Sequence, residues 1–283
     1  MIGLLKADFR RLFKDKLLLV MGILAVVFAL TMPLLYAVLF SVLGMSEEDM
    51  QMMAALGFDI NAKTLFFSSF SLGNDLGLIV PVLLAIALWK DFSYGTVRNK
   101  IIAGKSRSAI FMSLFITCAV TFIAVMLLHA LITLGVSLIF FPYQRTAFAI
   151  EDLWYFLVSV LFEILMLAYV AAFLSWLCAS MKNVGLVIVL YIAYVFLMIL
   201  TSSIMEGADM AIQFFADEGW IKEWSLKLLK FFDRINVLNA VSYIGMGTSY
   251  NWKDWLYLTV PAGLGITGFL GLGLWQFNRK DLK

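Results

Sequence analysis

The chain has 283 residues, 63% of them hydrophobic and 14% charged. A soluble domain is about 45 to 50% apolar and about a quarter charged, so a soluble helical globule is excluded: it has no way to hide this much apolar surface. With 21 Lys and Arg against 19 Asp and Glu the net charge is only +2, and no nucleic-acid partner is expected.

The first segment, "LLKADFRRLFKDK", is amphipathic. Ile2, Leu5, Phe9, Leu12 and Phe13 fall on or near one helical face, while Lys6, Arg10, Arg11 and Lys14 offer positive charge to lipid headgroups. Residues 2–16 are therefore predicted to form an interfacial helix, with Phe9, Arg10, Arg11 and Phe13 as its membrane-contacting set. The apolar run that follows, 17–42, is too long for a secretory leader and lacks a small-residue cleavage site, so it is expected to be a retained first span. Residues 44–63, with clustered acids and methionines, are predicted to be a solvated loop.

A second span is predicted over 66–89. Leu76 to Trp89 alone is too short to cross about 30 Å of hydrocarbon, so the helix is expected to begin near Phe66 or Phe70, carrying Asn74 and Asp75 into or near the membrane. Asp75 is either a vestibule residue for a cationic cargo or a helix-start cap. The connection 90–109 spends Lys90, Arg98, Lys100, Lys105 and Arg107 on one short stretch of a charge-poor chain. Asp91 to Tyr94 continue or cap the second span, Gly95 permits a bend, and Thr96 is expected to cap a short helix running to Ala103. Gly104 ends it, and Arg107 and Ser108 lead into the third span.

Further spans are predicted at 110–141, 153–178, 184–200 and 255–277, giving six in a single transmembrane domain, 1–283. The stretch 201–254 is the longest outside the bilayer. Within it Trp220, Ile221, Trp224, Leu228, Phe231, Phe232 and Ile235 recur at helical spacing opposite a charged face, predicting an amphipathic helix. The last span carries Gly263, Gly265, Gly268, Gly271 and Gly273 after Pro261, which suits close helix packing, and Trp255 and Trp275 anchor its two ends.

An even number of spans places both termini on one side. Fourteen of the 21 Lys and Arg lie in the leader, the 90–109 connection, Lys182 and the tail, so this side is predicted to be cytoplasmic and the protein a multi-pass resident of the plasma membrane. Few ionisable groups lie within the spans. Glu163 and His129 are costly at such depth unless they face protein or water, so they either pair in a buried hydrogen bond, line a translocation path together with Asp75, or respond to protons. Cys118 and Cys178 read as small apolar fillers, and one His with two Cys makes no metal cluster. No GxxxxGK[ST] phosphate loop occurs, so the chain is expected to be a non-catalytic subunit that takes any ATP-derived energy from elsewhere.

"DFSYGTVRNKIIAGKSRSAIF", with the basic leader and six spans, resembles the permease subunit of the ABC-2 type exporter family, in particular the short bacterial permeases with a separately encoded ATPase. The matching features are Asp91, Gly95, Thr96, Arg98 to Lys100, Gly104, Ser106 and Arg107. The resemblance implies an all-α, type V exporter-like fold, a bacterial plasma membrane, and a coupling helix that touches the nucleotide-binding subunit through Asp91, Gly95, Thr96, Arg98, Lys100, Gly104 and Arg107. It further implies ATP and Mg in that partner, none in this chain, a second permease subunit (identical or a close paralogue), and a hydrophobic or amphipathic cargo such as an antimicrobial peptide or drug. The residues alone leave open a membrane scaffold that recruits a soluble partner, a secondary transporter working through Glu163 and His129, and an intramembrane enzyme.

Overall fold

The structure is a computed structural model that describes residues 1–46, 49, 52, 59–73, 75–144, 147–181, 183–215, 231, 236–245 and 249–279. Its elements are helices: α1 (Ile2–Leu12), α2 (Lys16–Leu43), α3 (Ala62–Ser68), α4 (Asp75–Ser93), α5 (Thr96–Ile102), α6 (Arg107–Phe140), α7 (Ile150–Ser180), α8 (Val184–Phe215), α9 (Val237–Tyr243) and α10 (Trp252–Arg279). Among the described residues, six of them, α2, α4, α6, α7, α8 and α10, are long and apolar enough to cross a membrane. The chain is an all-α, multi-pass membrane protein.

Local chemistry sets the helix ends. Asp15 caps α2, its carboxylate accepting from the Leu17 N–H at 3.0 Å, and Ser106 caps α6 by accepting from the Ala109 N–H at 3.3 Å. Gly95 and Gly104, which bracket α5, have φ of 69° and 77°, a left-handed backbone that glycine adopts at little cost. The expected bend at Gly95 is present. The expected cap at Thr96 is not: Gly95 occupies the N-cap position, no side chain caps the helix, and Thr96 is its first helical residue.

The second apolar stretch is not one helix from residue 66 onward. It is α3, a turn, and then α4. Asn61 and Thr64 form a reciprocal capping box that starts α3, and the Ser68 and Ser69 hydroxyls both donate back to the Leu65 carbonyl at 2.9 Å, the local competition through which serine bends or ends helices. The chain then folds so tightly against the start of α4 that a Cβ on Gly77 would collide with the Ser71 and Leu72 backbone. The fifth span differs too, because α8 continues helically past residue 200 to Phe215. Apart from Phe231, the amphipathic segment predicted between Trp220 and Ile235 lies outside the described residues.

The bundle is built around α4, α6 and α7, with α2 packed on α4 and α6, α8 on α4 and α7, and α10 on α6 and α7. Hydroxyl and indole ties join the layers: Tyr191 donates to the Gly77 carbonyl at 2.9 Å, the Tyr169 and Tyr194 hydroxyls meet at 3.0 Å, and Trp176 Nε1 donates to Gln276 Oε1 at 3.1 Å. Two of the glycines in α10 are contact points, since a Cβ on Gly265 would strike the Tyr169 ring and one on Gly273 the Phe111 ring. Gly263, Gly268 and Gly271 face open space. The outer helices present apolar side chains outward, including Leu19, Ile23 and Leu35 of α2, Val189 and Phe196 of α8, and Leu264 and Leu272 of α10. So large an apolar exterior is a liability in water and a lipid-facing surface in a bilayer.

Candidate coupling surface at the basic end of the bundle

Helix α1, the foot of α4, the short helix α5 and the start of α6 meet at one end of the bundle, which also receives the end of α10. In α1 the residues that face inward are Leu4, Asp8 and Leu12, one per turn. Asp8 is the hub. Its Oδ1 accepts from Lys100 Nζ at 2.6 Å and its Oδ2 accepts from the Ser113 hydroxyl at 2.7 Å, joining α1 to α5 and α6 through a carboxylate that is nearly fully buried. Arg11 pairs with Asp91 at the foot of α4, and Lys100 also stands 4.0 Å from Asp91. One turn further, Lys90 Nζ reaches both oxygens of Asp15 at 2.7 and 3.0 Å.

The electrostatics follow from this crowding. Burial lowers the Lys100 ammonium below the ordinary lysine range, against the opposing hydrogen bond and charge of Asp8. Arg11 is likewise lowered by burial while the Asp8 and Asp15 carboxylates pull it back up. For Asp15 burial acts upward, but the hydrogen bonds from Lys90 and the Leu17 N–H, with the Lys90 and Arg11 charges, outweigh it and hold the carboxyl below its usual value. Each buried charge at this end has an opposite charge beside it, which is the condition for burying them at all.

At the other end of the connection, Arg107 donates through Nη1 to the Asn278 carbonyl at 3.0 Å and to the Phe277 carbonyl at 3.4 Å. These carbonyls belong to the last turn of α10, where a cation complements the negative end of the helix dipole. Val97, 2% exposed, plugs the inner side of α5 into the core. The segment is therefore fastened to α1, α6 and α10 and covalently continuous with α4.

The residues anticipated for partner contact thus divide. Asp91, Lys100 and Arg107 are turned inward and fasten the segment; Gly95 and Gly104 shape its ends; Arg98 is exposed on its outer side. One helical turn on from Arg98 stands Ile102, 74% exposed, and just ahead of Gly95 stands Tyr94, 76% exposed. Neither was anticipated from the sequence, although the spacing of four between Arg98 and Ile102 is legible there. Asp8 and Ser113 were missed as well. The available signal was a carboxylate at the middle of the series Leu4, Asp8, Leu12. In the leader, Phe9 is half-buried and Arg10 exposed, and Phe13, just past the helix end, is 74% exposed.

Among the described residues, Glu163 and His129 do not come together in one site within the membrane. Cys118 of α6 meets Ser175 of α7 at one point of their contact. About three helical turns from it on each helix, His129 and Glu163 come to similar depth. They nevertheless form no ion pair. Glu163 is completely buried with neither carboxyl oxygen hydrogen-bonded among the described residues. His129 lies instead on a cavity of about 130 Å³ between α2, α3, α4 and α6, shared with Tyr36, Ser68, Ser71 and Thr133. Asp75 opens α4; its side chain lies outside the described set.

Compared with models of known protein families and with curated protein sequences, the chain matches none of either.

Proposed function

We propose that the chain is the permease subunit of an ATP-driven exporter, with its basic end in the cytoplasm and the segment from Tyr94 to Lys105 as the surface on which a separate ATPase docks. The observation that carries this reading is the two-sidedness of α5. Its inner side is fastened through Val97, the Lys100–Asp8 pair and, just beyond its end, Arg107, while its outer side presents Arg98 and Ile102 to solvent, with Tyr94 exposed just ahead of Gly95. Tyr and Arg are the residue types that dominate binding energy at protein interfaces. A surface so mounted transmits displacement: movement of α5 drags α1 through Asp8, α10 through Arg107, and α4 and α6 through the chain itself.

In this reading two permease chains, identical or closely related, pair with two ATPases that hold ATP and Mg. Nucleotide-driven closure of the ATPases moves the two α5 helices, and the attached spans rock to open a path for a hydrophobic or amphipathic cargo, such as a membrane-active peptide or a drug. The resemblance of the 89–111 stretch to the ABC-2 exporters supports the same assignment. The test is reconstitution of the chain with its ATPase in vesicles: transport is ATP-dependent, and Arg98→Glu abolishes transport-coupled hydrolysis while leaving membrane insertion intact, because most of the positive charge that sets topology remains.

One observation favours a second reading. A carboxyl buried with no hydrogen-bond partner among the described residues, as Glu163 is, is a common element of proton-linked carriers, and with His129 at similar depth it would serve a secondary transporter. Transport that persists without ATP and loses its pH dependence in Glu163→Gln would favour that class.

A further inference from the structure

A cleft of about 420 Å³ opens at the basic end between the α1–α2 junction and the foot of α4. Four of the side chains that line it are cationic, Arg11, Lys14, Lys16 and Lys90, and two are acidic, Asp15 and Asp91. The two acids are already committed: Asp15 to Lys90 and Asp91 to Arg11. What remains is a surplus of two ammonium groups, Lys14 and Lys16, both exposed and neither in an ion pair among the described residues. Ala87, Tyr94 and Thr96 complete the lining.

The surroundings of the cleft are as informative as its lining. Phe13, directly beside Lys14, is 74% exposed, and Leu19, Ile23 and Val27, which continue along α2 from Lys16, are 65%, 54% and 50% exposed. A cationic mouth therefore stands at the head of an uncovered apolar strip that runs down a membrane-spanning helix. A free phosphate would use only the mouth and a neutral lipid only the strip. A molecule with an anionic head and acyl chains uses both.

We propose that this cleft is a binding site for one anionic phospholipid, its phosphate held by Lys14 and Lys16 at the mouth and its chains lying along the Leu19, Ile23 and Val27 face of α2. The site requires only that this end of the bundle meets a headgroup layer; it does not depend on an ATPase docking at α5, and its test is independent of one. Because Asp15 is fixed by Lys90 and by capping α2, and Asp91 by Arg11, the acids do not compete with the phosphate for the two lysines. Each lysine near an anionic lipid surface contributes about a fivefold gain in binding, so two together give roughly twenty-fivefold.

The experiment is native mass spectrometry of the full chain released from nanodiscs of phosphatidylcholine containing phosphatidylglycerol, with the neutral lipid alone as reference and inorganic phosphate as competitor. The wild type is expected to retain one phosphatidylglycerol in preference to phosphatidylcholine, and inorganic phosphate not to displace it. Lys14→Gln with Lys16→Gln lowers that retention at least about tenfold. Lys6→Gln with Arg10→Gln removes the same charge from exposed positions of α1 that do not line the cleft; it weakens general attraction to the headgroup layer and is expected to lower retention of the single bound lipid far less than the Lys14 and Lys16 variant does. Equal loss in both double variants would overturn the proposal in favour of diffuse surface attraction, displacement by inorganic phosphate would reduce it to an anion site, and no preference for phosphatidylglycerol in the wild type would remove it altogether. Should the Lys14 and Lys16 variant prove poorly folded, Lys14→Arg with Lys16→Arg keeps the charge and must retain the lipid.

Discussion

Asp8 and Lys100, separated by 92 residues of sequence, meet at 2.6 Å, and the same carboxylate holds the Ser113 hydroxyl at 2.7 Å. One side chain of the leader thereby fixes the short helix that faces outward from the basic end, together with the start of a central span. In the proposed exporter this is how motion imposed on α5 reaches α1 and α6.

Removing one member of that buried pair leaves the other charged and poorly solvated. Asp8→Asn is expected to destabilise the protein by roughly 3 kcal/mol, moderated by Asp91 at 4.0 Å from Lys100. Lys100→Met alone should cost a similar amount. The double variant should recover part of the loss, giving a coupling term in a double-mutant cycle of thermal unfolding. Strictly additive losses would mean that the pair is not an energetic unit.

The α10 glycines separate by position. Gly265→Ala and Gly273→Ala press a methyl into the Tyr169 and Phe111 rings, and each is expected to cost about 1 to 3 kcal/mol by overpacking. Gly268→Ala meets nothing and should be neutral or mildly stabilising, because alanine favours a helix by about 1 kcal/mol over glycine. Equal effects at all three sites, measured as detergent-solubilised melting temperatures, would contradict this arrangement of α10 against α6 and α7.

The Asp15–Lys90 tie carries a pH signature. The Asp15 carboxyl is held below its usual value in the folded protein, so the tie stabilises fully above the ordinary aspartate pKa of about 3.9 and is lost as pH falls through the lowered folded value. Asp15→Asn keeps a good helix cap but removes the charge. The stability gap between wild type and Asp15→Asn should therefore hold steady from pH 7 to about 5 and shrink below about 4. A gap that stays constant into strong acid would show that Lys90 contributes nothing through charge.

Much of the architecture was legible because a bilayer demands long apolar helices, and the runs around Val26, Met126, Leu167, Tyr191 and Gly265 supply them. The second span was misjudged for a physical reason. Phe66, Phe67 and Phe70 are apolar enough to extend it, but the serines at 68 and 69 turn their hydroxyls on the Leu65 carbonyl, a local choice that hydropathy does not register. Faces were harder still, since in a membrane helix both the buried and the lipid-facing sides are apolar. The leader shows this: Ile2 and Phe13, grouped with its apolar face, are 85% and 74% exposed, while Asp8 is buried. The α5 segment could be located from its glycines and charges, yet which cations point inward depended on partners far away in the chain, Asp8 for Lys100 and the Asn278 carbonyl for Arg107.

Glu163 tests the choice between transport classes. Gln has nearly the same volume and no charge, so Glu163→Gln in a fully buried site is expected to leave the fold intact. For an ATP-driven exporter, transport keeps the wild-type pH profile in this variant. A profile flattened by the substitution would assign Glu163 a proton-linked role and weaken the exporter reading.

The most direct test of the docking surface is affinity purification of the chain from its native membrane in mild detergent, followed by subunit mass and ATPase activity. The account predicts recovery of an ATPase in stoichiometric amount with the wild type, and its loss with Arg98→Glu or Ile102→Asp, whose side chains are exposed. A monodisperse chain without an ATPase, under conditions that preserve other membrane complexes, or an ATPase that binds both variants as well as the wild type, would contradict it.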